Sequence, residues 1–127
     1  MKYLLDTHVV LWMAENSPML SEDAKRVILD VTAEKYVSLA SAWEIAIKLG
    51  AGKLVLDGGE NEFFKMIDAN GFFTLSIERE YFQQLAYLPD IHKDPFDRLI
   101  IATAMVENAT VVIADANIHG YALPCLW

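Results

Sequence analysis

The stretch KYLLDTHVVLW, residues 2–12, gives the clearest indication of the fold of this chain. Its apolar beginning, Lys2 to Leu5, has the length and composition of a buried strand, and the polar pair Asp6-Thr7 follows directly. Apolar residues from Val9 to Trp12 then recur at helical spacing. The stretch therefore predicts a strand that passes straight into a helix, with a carboxylate at the junction.

The same alternation of strand and helix signals continues along the chain. Further strands are predicted at 36–39, 72–75 and 110–113, with helical patterns between them. The tail from Tyr121 to Trp127 adds a candidate edge strand, where Pro124 is tolerated. This alternation predicts an α/β fold, a three-layer α/β/α sandwich around a mostly parallel sheet of four to five short strands.

Polar residues at the predicted helix starts give more local expectations. Ser21 and Ser76 are placed to cap helices, and Asp94-Pro95 is a strong helix start. Ser41-x-x-Glu44 has the pattern of a capping box, in which Glu44 reaches back to a free amide and has no catalytic role. A brief extended piece is also expected in the loop at 54–56.

Length and composition limit the function. The 127 residues are expected to form one domain, 1–127, and the 54% hydrophobic content predicts that some apolar surface is covered by oligomerisation. No apolar run is long enough to cross a membrane. The single cysteine, Cys125, and the lack of a secretory signal lead us to expect a cytoplasmic protein. The net charge of −8 argues against a simple basic-patch binder of nucleic acid, so cations would have to mediate such binding.

Four acids are placed to meet at one edge of the sheet. Asp6 follows the first strand, Glu44 lies in the first turn after the second, Asp97 lies in the first turn of the late helix, and Asp115 follows the strand at 110–113. The carboxyl ends of parallel strands share an edge, where ligand crevices form. Clustered carboxylates need protons or cations, and oxygen ligands suit Mg²⁺ or Mn²⁺. The predicted chemistry is hydrolysis of a phosphodiester.

Four motifs resemble, in order, those of the PIN-domain family, and specifically of VapC-type toxins from bacterial type II toxin–antitoxin pairs: LLDTHVVLW, SAWEIAIKLGAGKL, HKDPFDRLIIATA and VVIADANIHGY. The resemblance covers essentially the whole chain. It implies an Mg²⁺- or Mn²⁺-dependent endoribonuclease that acts on RNA, forms a homodimer and pairs with an antitoxin protein that occupies its active site. It assigns Asp6, Asp97 and Asp115 to metal binding, with one or two ions, and Glu44 to positioning or deprotonating the attacking water.

One position departs from the family pattern. The family usually has a hydroxyl residue two places before the last aspartate, and this chain has Ile113 there. A hydrogen bond to Asp115 or to metal-bound water would then be missing. Asn117 is the candidate replacement.

Other polar side chains near these motifs are candidate substrate contacts. Thr7, Lys48 and Arg98 belong to this group together with Asn117, and each of the three has a structural alternative. Thr7 would cap the first helix, Lys48 would pair with Glu44 one turn away, and Arg98 would pair with the helix cap at position 94.

Histidines and aromatic residues close to the motifs have two interpretations. His8 and His92 are candidates for proton transfer or RNA binding, although such histidines are more often ordinary loop or helix-face residues. Aromatic side chains at helical spacing are expected in the core and at the dimer surface rather than as platforms for bases: Trp12, Trp43, Phe63 and Phe64.

Other functions fit less well. A phosphatase of the haloacid-dehalogenase type needs a second aspartate two residues after the first, where His8 stands, and a receiver domain needs an acidic pair after its first strand. The remaining alternative is a catalytically silent PIN-like module that acts with a DNA-binding antitoxin. Metal binding that depends on Asp6 would distinguish the enzyme from this module.

Overall fold

The computed structural model describes the backbone of all 127 residues and every side chain except that of His119. Successive strands are separated by a pair of helices, or by one 3₁₀ segment before the last strand, in this order: β1 Lys2–Leu5, α1 Thr7–Ala14, α2 Glu22–Leu29, β2 Glu34–Ser38, α3 Leu39–Gly50, α4 Gly59–Ala69, β3 Phe73–Leu75, α5 Arg79–Ala86, α6 Pro95–Glu107, β4 Thr110–Val112, a 3₁₀ segment Ala116–Gly120, and β5 Cys125–Leu126. None of the helices in the described part of the chain combines the length and apolarity that a membrane span requires.

The five strands form one parallel sheet in the order β3-β2-β1-β4-β5. Strand β1 lies at its centre, with Tyr3 opposite Lys35 of β2 on one side and Thr110 of β4 on the other. From β1 the chain adds β2 and β3 on one side of the sheet, and it then adds β4 and β5 on the other side of β1. The direction of strand addition therefore reverses between β1 and β4. In parallel sheets a crevice opens at such a reversal, beyond the carboxyl ends of the two strands.

Each face of the sheet is covered by its own hydrophobic cluster. Leu5 and Val112 belong to the cluster that includes residues of α1, α2 and α4, whereas their neighbours Leu4 and Val111 belong to the cluster that includes residues of α6. Successive strand residues point to opposite faces, and burying each aliphatic side chain contributes about 1.5–3 kcal/mol. The expected three-layer fold around a mostly parallel sheet of four to five short strands is confirmed, with five strands that are all parallel.

Two predicted helix starts are also confirmed. Ser21 Oγ accepts a hydrogen bond from Ala24 N at 3.1 Å, which caps α2. Asp94 Oδ1 accepts from Phe96 N at 2.9 Å and Asp97 N at 3.0 Å, and a proline in the first turn completes the start of α6. These caps depend on residues adjacent in sequence, which is why the pattern predicted them.

The predicted capping box of α3 is wrong. The helix begins at Leu39 because β2 runs into it without a loop, and Ser38 Oγ accepts from Ala40 N at 3.0 Å. Ser41 lies inside the first turn and is buried. Glu44 therefore lies in the second turn rather than the first, and its side chain is free for a role other than capping.

Three smaller expectations are also wrong. Asp6, not Thr7, caps α1, since its carboxylate accepts from the amide of the second helical residue. Ser76 does not cap α5, because Ile77 packs against a small apolar cluster and the helix begins only at Arg79. The segment 54–56 forms no strand; its two leucines pack on the core without joining the sheet.

Candidate active site

A cavity of about 270 Å³ lies at the carboxyl edge of the sheet, next to the ends of β1 and β4. Its lining is Asp6, His8, Trp12, Asp97, Ile113, Ala114 and Asp115. Three of the four acids predicted to converge therefore line one cavity. The fourth, Glu44, is close enough for its charge to raise the pKa of Asp97.

A larger cavity of about 700 Å³ lies elsewhere, between the end of α1 and α4. Its lining includes Met13, Phe63 and Met66, with isolated charges such as Glu15 and Glu62 around them. These charges do not belong to a group of side chains able to hold a metal, among the residues that the structure describes. Size alone does not identify the functional site, and the smaller acidic cavity carries the chemistry.

Asp6 is held rigidly where β1 meets α1. Its backbone N–H donates to Val112 O at 3.0 Å, which ties the junction to β4. Its Oδ2 lies 3.3 Å from His8 N, which donates to it, and 3.5 Å from His8 Nδ1. The positive end of the α1 dipole favours a negative charge at this position. The carboxylate is buried, yet only one of its two oxygens has a partner.

Glu44 projects from α3 and is buried. Its Oε2 accepts a hydrogen bond from Lys48 Nζ at 2.8 Å, so the expected pair one turn apart does form. Within the part of the chain that the structure describes, Asp6 Oδ1 and Glu44 Oε1 are the buried side-chain atoms left without a hydrogen-bond partner. An uncompensated buried carboxylate oxygen is costly, so both atoms indicate a missing cationic or donor ligand.

Asp97 lies in the first turn of α6 and faces the other acids. Burial, followed by the charges of Asp6 and Asp94, raises the pKa of its carboxyl group to about 7. The nearby His92 lowers the pKa of Asp97 and so opposes these effects. A carboxyl group with such a pKa is half protonated near neutral pH unless a cation binds it.

His92 bridges two of the acids. Its Nδ1 accepts a hydrogen bond from Asp94 N at 3.1 Å, so in the neutral ring the proton is on Nε2, an assignment made from these hydrogen bonds. Nε2 lies 2.8 Å from Asp115 Oδ2 and 3.3 Å from Asp97 Oδ2. The backbone N–H of His92 donates to Tyr121 Oη at 2.7 Å, which holds the loop in place. From its sequence, His92 was only a candidate for proton transfer or RNA binding, whereas here it contacts two of the acids.

One possible ligand atom from each of His92, Asp97 and Asp115 lies within 4.8 Å of the other two, which is close enough for all three to bind one metal ion. However, a nitrogen that carries a proton cannot bind a metal, and Nε2 carries one for as long as Nδ1 accepts from Asp94 N. We therefore interpret His92 as a hydrogen-bond donor to Asp115 that also lies beside Asp97, not as a ligand. Asp6 and Glu44 lie outside this group of three.

Asp115 caps the 3₁₀ segment that follows β4. Its Oδ1 accepts from Asn117 N at 2.9 Å, which forms an Asx-turn. This backbone hydrogen bond and the one from His92 lower its pKa. Ile113 is buried in the core and supplies no polar group. In place of a hydroxyl group at position 113, Asp115 accepts hydrogen bonds from the His92 ring and from the backbone N–H of Asn117. The side chain of Asn117 is therefore not the replacement.

Two other predicted substrate contacts point away from the cavity. Thr7 is fully buried and its hydroxyl donates to Ser41 Oγ at 2.8 Å, which links α1 to α3. The Arg98 guanidinium donates to backbone carbonyls of the loop, including Pro89 O at 3.1 Å, and lies 3.6 Å from Asp90 rather than pairing with the cap of α6. Both side chains support the site indirectly by holding its helices and loop.

His8 stands at the open side of the cavity. The hydrogen bond with Asp6 raises the pKa of its imidazole, while partial burial opposes this. Its side chain is 53% exposed, more than that of any of the three aspartates lining the cavity.

The donor set fits a divalent cation. Its oxygens come from separate elements, and two buried ones lack a partner. Burial and the neighbouring acids raise the pKa of Asp97, which a bound cation would counteract. Divalent cations with a preference for carboxylate oxygens suit such a cluster, which is therefore a candidate metal site.

Comparison with known families agrees with this site. The PIN domain family model matches residues 3–123. The chain belongs to the PIN domain family. Comparison with curated proteins gave no match. The PIN family membership inferred from the four motifs is therefore confirmed, and nuclease activity is the general function of PIN domains.

Solved structures show the same PIN fold. VapBC2 from Rickettsia felis, bound to a DNA fragment from its promoter, matches with a TM-score of 0.74 and 14% identity over 99% of this chain and 98% of that one. DNA-bound VapBC from Salmonella typhimurium gives 0.69 and 15% over 99% and 97%. FitAcB from Neisseria gonorrhoeae gives 0.67 and 19% over 97% and 95%. At these identities the matches establish the fold.

Proposed function

We propose that this PIN domain, spanning residues 1–127, is a metal-dependent endoribonuclease and the toxin of a type II toxin–antitoxin pair. One observation carries the proposal. Two buried carboxylate oxygens, on Asp6 and Glu44, lack partners beside a cavity that Asp97 also lines. A carboxylate cluster of this kind is maintained at the reversal point of a parallel sheet only if a ligand repays its cost.

Each side chain of the site has its own role in the proposed hydrolysis. Asp6 and Asp97 hold the principal ion, and Asp115 contributes to it or to a second one. When bound, Mg²⁺ or Mn²⁺ lowers the pKa of a coordinated water and neutralises charge on the phosphoryl group. Glu44 orients the attacking water or accepts its proton through Oε1, since Lys48 already occupies Oε2. His92 keeps the carboxylates of Asp97 and Asp115 oriented.

Cation dependence also explains how a chain with a net charge of −8 acts on a polyanion. The cavity lining contains three aspartates and neither lysine nor arginine. Without a divalent ion the cavity repels phosphate, and with one it attracts phosphate at the point where hydrolysis occurs.

The proposed partners are an antitoxin and a second copy of the chain. Structures with this fold include VapBC complexes from two organisms, which supports an antitoxin partner. Trp43 is 57% exposed and Ile47 is exposed one turn further along α3, where they form an apolar face next to the start of α6. Trp43 also packs edge-on against Phe96, with ring centroids 5.1 Å apart. We propose this face as the homodimer contact, and a cytoplasmic location follows from the RNA substrate.

The test is cleavage of a fluorescently labelled RNA by purified protein. We expect activity with Mg²⁺ or Mn²⁺, none with chelator, and a loss of at least about 100-fold in Asp6→Asn and Asp97→Asn. Asp68→Asn, an exposed change on α4, is the matched control and should retain full activity. Equal cleavage by wild type and Asp97→Asn would mean that a contaminating nuclease acts. Folded wild-type protein that neither cleaves RNA nor binds metal would favour the silent module instead.

A further inference from the structure

Three aromatic rings form a row that begins in the acidic cavity. His8 and Trp12, one turn apart on α1, have ring centroids 5.7 Å apart at an interplanar angle of 44°. Trp12 and Trp127 follow at 5.6 Å and 55°. The first two rings line the same cavity as Asp6 and Asp97. The row therefore leads from the reacting centre toward the end of the sheet.

The row is anchored at one end and open at the other. Trp12 and Trp127 pack against the core cluster that covers this face of the sheet, which fixes their orientation. The His8 side chain, in contrast, is 53% exposed. The sequence expectation that Trp12 belongs to the core is thus incomplete, because the residue both packs on the core and lines the cavity.

The charges around the cavity leave RNA with few other contacts. Lys48 is paired with Glu44, and Arg98 is tied to loop carbonyls. Phosphates other than the one at the cation therefore meet a cavity lined by three aspartates and by neither lysine nor arginine. Stacking of a base on an aromatic ring is insensitive to this charge and typically contributes about 5- to 100-fold in affinity per base.

We propose that the ring of His8, supported by Trp12, is the subsite for the nucleobase next to the scissile phosphate. The proposal rests on the ribonuclease function proposed above and adds where the substrate base is held. Because every base has a π-face, the subsite accepts any base and favours the larger purines. Trp127 acts as a positioning residue that holds the Trp12 ring in place.

Two substitutions at one exposed position separate stacking from the contact with Asp6. His8→Asn keeps a polar side chain beside Asp6 but removes the ring, whereas His8→Phe keeps a ring but removes the contact with Asp6. Both changes are at a half-exposed residue, so the fold should survive, and circular dichroism verifies this. The probes are fluorescein-labelled hexaadenylate RNA and a ribose-phosphate oligomer of equal length without bases.

Affinity is measured by fluorescence anisotropy with Ca²⁺ as the cation, after gel analysis shows that the probe stays intact. We expect hexaadenylate to bind His8→Asn about 5- to 100-fold more weakly than wild type and His8→Phe within about threefold of it. The probe without bases should bind all three proteins alike. Equal affinity of wild type and His8→Asn for hexaadenylate, or an equal loss for the probe without bases, overturns the subsite.

The outcome also separates this proposal from the ribonuclease function. If wild type cleaves RNA in the presence of Mg²⁺ but His8→Asn binds hexaadenylate normally, only the base subsite is wrong. If wild type neither cleaves RNA nor binds either probe, the nuclease function fails and the subsite fails with it.

Discussion

Replacing Asp97 with asparagine should stabilise the metal-free protein while it abolishes activity. The side chain is 18% exposed, and burial and neighbouring acids raise its pKa from 3.8 to about 7. The folded protein therefore binds the proton more tightly than the unfolded chain does. Between these two values the free energy of unfolding falls as the pH rises, and above pH 7 the full penalty of the buried charge is present.

The magnitude follows from the two pKa values. A tenfold change in proton affinity corresponds to about 1.4 kcal/mol, so the difference between 3.8 and about 7 gives an upper limit of about 4 kcal/mol. Asparagine loses the contact of the carboxylate with His92 Nε2, which is 3.3 Å away, and we expect a net gain of about 2 kcal/mol. For a chain of this length, that gain raises Tm by about 7 °C.

The assay is thermal unfolding in chelator across pH 5 to 8. Asp97→Asn should exceed wild type by about 7 °C at pH 8, and this advantage should shrink steadily as the pH is lowered to 5, because the penalty of the buried charge accumulates only as the pH rises above 3.8. Asp68→Asn, exposed on α4, should match wild type throughout. Saturating Mg²⁺ should reverse the order at pH 8, because it stabilises only the protein that binds it. A variant with equal or lower Tm than wild type at pH 8 in chelator would refute the assigned burial of an uncompensated charge.

Three further predictions concern the same residues and the proposed dimer. At low Mg²⁺ concentration, the rate of RNA cleavage should rise with pH around a midpoint of about 7, because protons compete with the metal at Asp97. A higher Mg²⁺ concentration should move this midpoint to lower pH. A midpoint that is independent of Mg²⁺ would contradict the competition. Lys48→Met should lower kcat by about tenfold because Glu44 loses the donor that orients it, whereas Lys25→Met, which breaks an exposed pair, should leave kcat unchanged. Trp43→Lys should convert a dimer to a monomer in analytical ultracentrifugation, and a wild-type monomer at high concentration would exclude this face as the contact.

Features set by neighbours in the chain could be predicted from the sequence. The helix caps at Ser21 and Asp94 and the Asx-turn at Asp115 depend on residues two or three positions away. The start of α3 could not be predicted, since two serine-containing patterns compete there and only the length of β2 decides between them. The pattern at Ser41 was therefore misread, and Glu44 was assigned to the wrong turn.

By itself, the sequence determined the parallel α/β sheet and the edge at which the acids gather, because hydrophobic periodicity and strand polarity follow from local order along the chain. Only the tertiary structure decided what those acids contact. His92 reaches Asp115 across 23 positions of sequence, and its loop is held by Tyr121, 29 positions away. Such contacts depend on how separate elements pack, and packing distances are not encoded in the spacing of residues. The burial that raises the pKa of Asp97 and leaves oxygens of Asp6 and Glu44 without partners arises in the same way.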